Sequence, residues 1–326
     1  MKTLIVATFA LFLSVSAAAE TAKELSIWVG AEARGEAGSS GCSASALGGI
    51  ARVASAFATA RSANACTVTA LVGDTVGNEI QTPANVDQFL ESLALSIYVP
   101  GPKDLDALAS ASATVSPRAL KWVATNLIGA KSKTGSPKGD RLVRVGNRTV
   151  CGVQVRALGF VDCKRLAKTT LQRLGARCVS PVEALRTVGE SGAGLDMWLG
   201  AFGNKTLNAM SGVARTPRLV VDTAAAETAV EAVQRTPEEL YTTPLSGLRS
   251  LTHVTFAPTL PEARFRWESP AMTLAALQKL RANVLGTEKL ARIERRNFEA
   301  VAEGRGGKPL AVESESVLID GRFDRR

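Results

Sequence analysis

Short apolar runs that stop at a glycine recur along this chain, and most give way to a stretch with helical spacing. Residues 25–29 end at Gly30, 67–72 at Gly73, 97–99 at Pro100-Gly101, and 195–199 at Gly200. Runs of this length, rich in β-branched and large apolar residues, read as buried strands. Between them, residues 50–62 carry Ile50, Val53, Ala54 and Phe57 on one helical face, and 86–95 and 104–113 also read as helices. A strand that is apolar along its whole length must be covered on both faces. The alternation therefore predicts an α/β domain whose ligands meet the carboxyl ends of the strands.

The rest of the chain continues the pattern. Trp122, Val123 and Ala124 form a strand, and residues 142–145 pair with 153–160 as a hairpin. Ser180-Pro181 starts a helix with Glu183 near its positive end. Residues 195–199 and 219–221 are two more buried strands, each followed by a helical stretch. Residues 248–256 and 263–267 read as late antiparallel strands. Beyond Pro270, residues 272–285 and 288–302 form a helical hairpin around Gly286, and 316–319 are either one edge strand or disordered.

The amino terminus has the form of a secretory signal: Lys2, an apolar run over 4–15, then Ala17, Ala18 and Ala19. Cleavage after Ala19 and a periplasmic or secreted location are expected, with an uncleaved anchor as the alternative. The run is too short to span a bilayer easily, and no later stretch qualifies as a transmembrane segment. The division is then 1–19 signal peptide, 20–268 main domain and 269–326 helical hairpin and tail.

Export permits disulfides. The five cysteines are Cys42, Cys66, Cys151, Cys163 and Cys178, and no CxxC occurs. Cys163 and Cys178 bracket a short basic helical stretch and are the best disulfide pair. The alternative is that all five are small buried apolar residues.

The formal net charge is +9. Cations gather at Lys131-Lys133-Lys138-Arg141-Arg144, at Lys164-Arg165-Lys168-Arg173-Arg177 and at Arg292-Arg295-Arg296. Aromatic residues make up 5% and do not interleave with these groups, so no stacking platform for specific nucleic-acid binding is indicated. These clusters are either solvated surface or an attraction to anionic envelope surfaces and phosphate-bearing ligands.

Five glycine-bounded segments, taken together, resemble the calcineurin-like metallophosphoesterases in their secreted 5′-nucleotidase branch. Residues 25–35 read LSIWVGAEARG where the family has a strand like ILHTNDxHG. Residues 48–55 read GGIARVAS against GGxARxAT, and 71–77 read LVGDTVG against a strand ending in GD. Residues 101–106 read GPKDLD against GNHEFD, and Ala124-Thr125-Asn126 stand against SAN. Residues 151–162 read CGVQVRALGFVD against NGVKVGIIGFTD. The resemblance runs over about residues 25–256. It implies an αββα sandwich of two mixed sheets flanked by helices, to which the carboxy-terminal helices are an extension.

The family's dimetal centre clamps a phosphoryl oxygen and generates hydroxide at neutral pH. Its ligand positions are mostly altered here. Glu32 stands for the first Asp, Arg34 for the first His, Pro102 for the Asn ligand and Lys103 for the catalytic His, while the bridging Asp74 is kept. Ala201, Ala224 and Ala226 fall where later imidazoles belong, and the chain has one histidine, His253, far from every motif. Like charges 4 Å apart repel by about 4 kcal/mol at an effective dielectric of 20. Arg34 and Lys103 would therefore oppose cations at this place. The expectation is that the dimetal cofactor is lost, with Glu32, Arg34, Asp74, Lys103 and Asp104 forming a salt-bridge or ligand-binding cluster and with no catalytic residue.

Three functions remain open from the sequence. The first is an exported, catalytically degenerate phosphoesterase acting as a binding or scaffold module. The second is a phosphoric-ester hydrolase with a metal-poor site, in which Lys103 and Arg34 would stabilise the phosphoryl group. The third is an envelope subunit that meets a protein partner through its basic surfaces or the helices of 272–302. A serine hydrolase lacks support, because there is no GxSxG and His253 would have to be the base.

Overall fold

A computed structural model describes residues 23–34, 50–77, 80, 82–110, 120–130, 141–189, 192, 194–202, 204–211, 217–224, 231–236, 239–244, 248, 250–258, 265–268, 317–319 and 322–324. In chain order the elements begin β1 (Leu25–Ala31), α1 (Ile50–Ala63), β2 (Thr67–Gly73), α2 (Pro83–Ser92), β3 (Ile97–Pro100), α3 (Pro102–Ser110), β4 (Trp122–Val123) and β5 (Leu127–Gly129). They continue with β6 (Leu142–Val143), β7 (Gly146–Val150), β8 (Val153–Phe160), α4 (Lys168–Leu174), β9 (Ala176–Cys178), α5 (Pro181–Val188) and β10 (Leu195–Gly200). Then come α6 (Asn204–Ser211), β11 (Arg218–Asp222), β12 (Glu231–Thr236), β13 (Glu239–Thr243), β14 (Leu251–Phe256), β15 (Phe265–Glu268), β16 (Val317–Ile319) and β17 (Arg322–Asp324).

Two mixed sheets result. The first has the order β15-β14-β1-β2-β3-β4-β6 and the second β12-β13-β11-β10-β8-β7. Each has a parallel centre and antiparallel strands at an edge. Side chains alternate along a strand, so each sheet feeds two cores. Ile27 and Val29 of β1, with Val68 and Val72 of β2, pack between the sheets against Ala157, Met197, Leu199 and Val221. Trp28, Leu71, Tyr98 and Trp122 point the other way, onto Phe57 of α1, Phe89 of α2 and Leu105 of α3. On the far side Leu158, Trp198 and Val220 meet Leu185 of α5 and Met210 of α6. Full burial of each large side chain contributes about 2 kcal/mol. Helix, sheet, sheet, helix is the expected αββα sandwich.

Local signals set the helix starts. Ser180 accepts from the Glu183 amide at 3.2 Å with Pro181 in the first turn, and Thr82 caps Pro83–Ser92 in the same way. Such caps are worth about 1 kcal/mol.

Four strands of the second sheet carry a row of alternating charge. Arg156, Asp196, Arg218 and Glu239 are lateral neighbours in register. Arg156 grips Asp196 with two nitrogens, Nε at 2.9 Å, and Arg218 binds Glu239. All four are buried.

Two disulfides are present. Cys163–Cys178 is the expected one, and Cys66–Cys151 was not foreseen. Cys66 immediately precedes β2 in the first sheet, whereas Cys151 lies in the β7–β8 turn of the second, so this bond ties the sheets together. Cys42 lies outside the described residues.

Several expectations need correction. Leu142 and Val143 join the first sheet beside β4, and the hairpin partner of β8 is Gly146–Val150. The shift follows from polarity: Asn147, Arg148 and Thr149 suit an exposed edge, while Leu142 is buried. After β11 the described residues hold strand β12, paired with β13, where a helical stretch was expected. Val317–Ile319 forms a two-stranded hairpin with Arg322–Asp324 and is not a lone edge strand. The signal peptide and the helical hairpin of 272–302 lie outside the described residues. His253 stacks on Trp28 at 4.4 Å, with its Nε2 3.0 Å from Ser26 Oγ, on strand β14.

Candidate functional site: a cleft at the strand ends

The carboxyl ends of β1, β2 and β3 in one sheet meet those of β8, β10 and β11 in the other. Between them lies a small open cleft bordered by Glu32, Asp74, Gly101, Asp162, Arg165 and Ala201.

The loop after β1 turns on two left-handed residues, Glu32 (φ 41) and Arg34 (φ 53). That conformation is costly for residues with a side chain. It is held by the Glu32 amide, which donates to the Val72 carbonyl at 2.8 Å, and by the Arg34 amide, which donates to the Asp74 carbonyl at 2.9 Å. The turn brings the Arg34 guanidinium onto the Glu32 carboxylate at 2.8 Å. Two glycines make room. A Cβ on Gly73 would sit 2.6 Å from the Glu32 side chain, and one on Gly101 would sit 2.0 Å from Asp74 Oδ1.

Asp74 follows β2 and is 4% exposed. Its Oδ1 accepts from the Lys103 amide at 2.8 Å, and its Oδ2 from Arg165 at 3.3 Å. Burial pushes its carboxyl above the ordinary range, opposed by that amide and by the charge of Arg165, while the Glu32 charge adds to the rise.

Asp104 lies behind the cleft wall and is fully buried. Its carboxylate accepts from the amides of Thr75 (2.9 Å), Val76 (2.7 Å) and Gly101 (2.9 Å), and from the Tyr98 hydroxyl at 2.6 Å. Burial raises it to about 7 even against the Tyr98 hydroxyl and the Val76 and Gly101 amides. Asp104 staples the loop after β2 to the start of α3.

The expected cluster is thus redistributed. Glu32 and Asp74 line the cleft, and Arg34 joins it through its ion pair with Glu32. Asp104 is bound by amides and a phenol, not by a cation, because its helical position turns it inward. The Lys103 side chain is exposed; its amide hydrogen-bonds Asp74, while its ammonium acts on that carboxylate only through its charge. The cation on Asp74 is instead Arg165, a member of the basic run Lys164-Arg165-Lys168-Arg173-Arg177. The available signal was its place at a strand end, in a turn three residues after Asp162 and tied by Cys163. Asn126 anchors that turn: its amide nitrogen donates to the Val161 carbonyl at 2.8 Å, and its oxygen accepts from the Val161 amide at 2.9 Å.

A dimetal centre does not fit these residues. Pro102, Ala201 and Ala224 offer no ligating side chain, and Ala226 lies outside the described residues. Glu32 and Asp74 each already carry a guanidinium. Asp162 uses Oδ1 to cap the Lys164 amide, and Asp222 is engaged by the amides of Phe202 and Ala224 and by the Tyr241 hydroxyl. Among the described residues, no group of three or more His, Cys, Asp or Glu side chains could hold a metal ion.

No protein-family model matches the sequence, and neither does any curated protein. Solved structures do match. The 5′-nucleotidase from Candida albicans is similar with a TM-score of 0.63 at 12% identity, over 86% of this chain and 57% of that one. The 5′-nucleotidase precursor from Thermus thermophilus gives 0.60 at 12% identity, over 86% and 59%. The calcineurin-like phosphoesterase YfkN from Bacillus subtilis gives 0.51 at 12% identity, over 85% and 98%. The chain spans 59% and 57% of the lengths of the two nucleotidases it matches. With its two mixed sheets, flanking helices and strand-end cleft, the chain has the fold of the calcineurin-like metallophosphoesterases and the 5′-nucleotidases.

Proposed function

We propose that this is an exported, catalytically silent protein of the metallophosphoesterase fold that serves as a binding module. The observation that carries the reading is Arg165 on Asp74, beside Arg34 on Glu32. Two guanidinium groups neutralise the carboxylates that a divalent cation would need. A metal arriving at Asp74 would have to displace one of them and lie beside the other. No nucleophile with an adjacent base borders the cleft among the described residues, so hydrolysis has no evident chemistry. The signal-like amino terminus and the two disulfides support export. The likeness to proteins named 5′-nucleotidases supports a phosphate-bearing ligand over an apolar one.

The test is hydrolysis of nucleotides and of an aryl phosphate by the mature protein, with added Mn²⁺, Zn²⁺ or Ca²⁺, together with elemental analysis. The expected result is no metal-stimulated turnover and no stoichiometric metal. Turnover that disappears in Asp74→Ala would overturn the reading and leave an atypical phosphoric-ester hydrolase in its place.

A further inference from the structure

We propose that the disulfide-closed segment 163–178, with the first turn of α3, is a docking track for a linear phosphate polymer, whose terminal phosphate reaches the cleft mouth. This rests on the reading of the cleft as a non-hydrolytic binding site.

Between Cys163 and Cys178 the chain carries Lys164, Arg165, Lys168, Arg173 and Arg177 and no acidic residue, and all five cations are exposed. Two of them are engaged at the periphery, Arg173 with Ser110 Oγ at 3.4 Å and Arg177 with Glu183 at 3.6 Å. Lys164 and Lys168 make no ion pair among the described residues, and the same holds for the exposed Lys103 on α3. Packing joins these positions. Thr170 of α4 hydrogen-bonds Asp106 one turn beyond Lys103, and the Lys103 amide and the Arg165 guanidinium share the Asp74 carboxylate. Asp162 and Asp106 keep their negative charge while they accept from the Lys164 amide and from Thr170, and they are outnumbered by Lys103, Lys164, Arg165 and Lys168. Lys103, Lys164, Arg165 and Lys168 therefore form one positive surface that runs from the α3–α4 seam to the cleft.

The segment is also held in place. The disulfide closes it, Asn126 clamps Val161 just before it, and α4 leans on α3. A track fixed before binding spares the ligand the cost of ordering it.

Three features select the ligand. The exposed residues of α4, Lys168, Thr169, Gln172 and Arg173, are all polar, so nothing is available to insert into a bilayer or to stack on bases. Arg165 borders the cleft beside Asp74, where the end of a chain lying on the track can reach it. Arg165 must exchange one oxyanion for another, and a terminal phosphate with about −1.5 to −2 charge at pH 7 competes with the single charge of Asp74.

The experiment titrates the oxidised mature protein with inorganic polyphosphate of graded length, inorganic phosphate, polyglutamate, and vesicles of phosphatidylglycerol in phosphatidylcholine. For four phosphate contacts, polyphosphate affinity should fall about 50-fold between 50 and 200 mM salt, taking about 0.7 per contact in the log–log slope. Phosphate alone and polyglutamate should bind far more weakly. Lys164→Gln with Lys168→Gln should flatten the slope by about 1.4 with the melting curve unchanged, while Lys121→Gln, an exposed control outside the track, should not. An equal effect of the control, preference for vesicles or polyglutamate, or no polyphosphate binding at 50 mM salt overturns the proposal. Metal-stimulated turnover abolished by Asp74→Ala, with the polyphosphate slope intact, removes the non-hydrolytic reading and keeps the track.

Discussion

Arg165 lies 3.3 Å from the Asp74 carboxylate, across 91 positions of sequence. Its side chain is 52% exposed and that of Asp74 is 5% exposed. The pair therefore joins a cation that water can still solvate to an anion that it can hardly reach. This asymmetry makes the arginine the removable half.

Arg165→Ala should cost about 1 kcal/mol at neutral pH, because the Lys103 amide remains on Asp74 and the lost cation was partly screened. Arg165 holds the Asp74 carboxyl down against burial. Its removal lets that value climb further. The stability lost should shrink as the pH falls and Asp74 takes up a proton. Urea midpoints at pH 7 and pH 4 check this, and a constant difference across that range would contradict it.

Asp104 gives a second pH signature. Its folded value, about 7, stands above the unfolded 3.8. The folded state then binds the proton more tightly, so this group's contribution is full below about pH 4 and is lost as pH rises towards 7. Asp104→Asn has nothing to titrate and sets an amide against a donor, at a cost of about 1–3 kcal/mol. Wild type should exceed the variant most near pH 4 and least near pH 8, as read by chemical denaturation.

The row Arg156–Asp196–Arg218–Glu239 should resist partial removal. Asp196→Ala strands a buried guanidinium and should cost about 3–5 kcal/mol. Replacing Arg156 and Asp196 together with Met and Leu should recover most of that loss. Equilibrium unfolding of the single and double variants measures the difference. A double variant as unstable as the single one would show that the row does more than neutralise charge.

The two disulfides should differ in worth. The chain-entropy model assigns about 4.6 kcal/mol to a bond closing the 85-residue separation of Cys66–Cys151, and about 3 kcal/mol to the 15-residue separation of Cys163–Cys178. Paired alanine variants compared by denaturation should keep that order. The 163–178 pair should in addition weaken the Arg165–Asp74 contact, visible as an upward move of the Asp74 carboxyl titration by NMR.

Much of the architecture was legible along the chain. Ile27 and Val29 alternate with Trp28, and that local pattern demands two apolar environments on opposite faces of one strand. Gly73 and Gly101 mark strand ends, and Ser180-Pro181 marks a helix start. Each signal acts within a few residues, which is why it survives in the sequence. Cys163 and Cys178 are close enough along the chain to be matched as well, and Asp74, Glu32 and Arg34 follow strands whose ends were already placed.

What needed the tertiary structure was every choice of partner across a long loop. Lys103 and Asp104 are adjacent in sequence, yet the helix turns one to solvent and the other into the wall. Arg165 reaches Asp74 only because β8 and β2, in different sheets, end on the same cleft. Cys66 meets Cys151 because two sheets stack, and the four-residue charge row exists because β8, β10, β11 and β13 lie in one register. Sequence by itself determined which faces must be buried, since burial is decided by local periodicity. Which charge meets which depends on strand order and register, which no short window of residues contains.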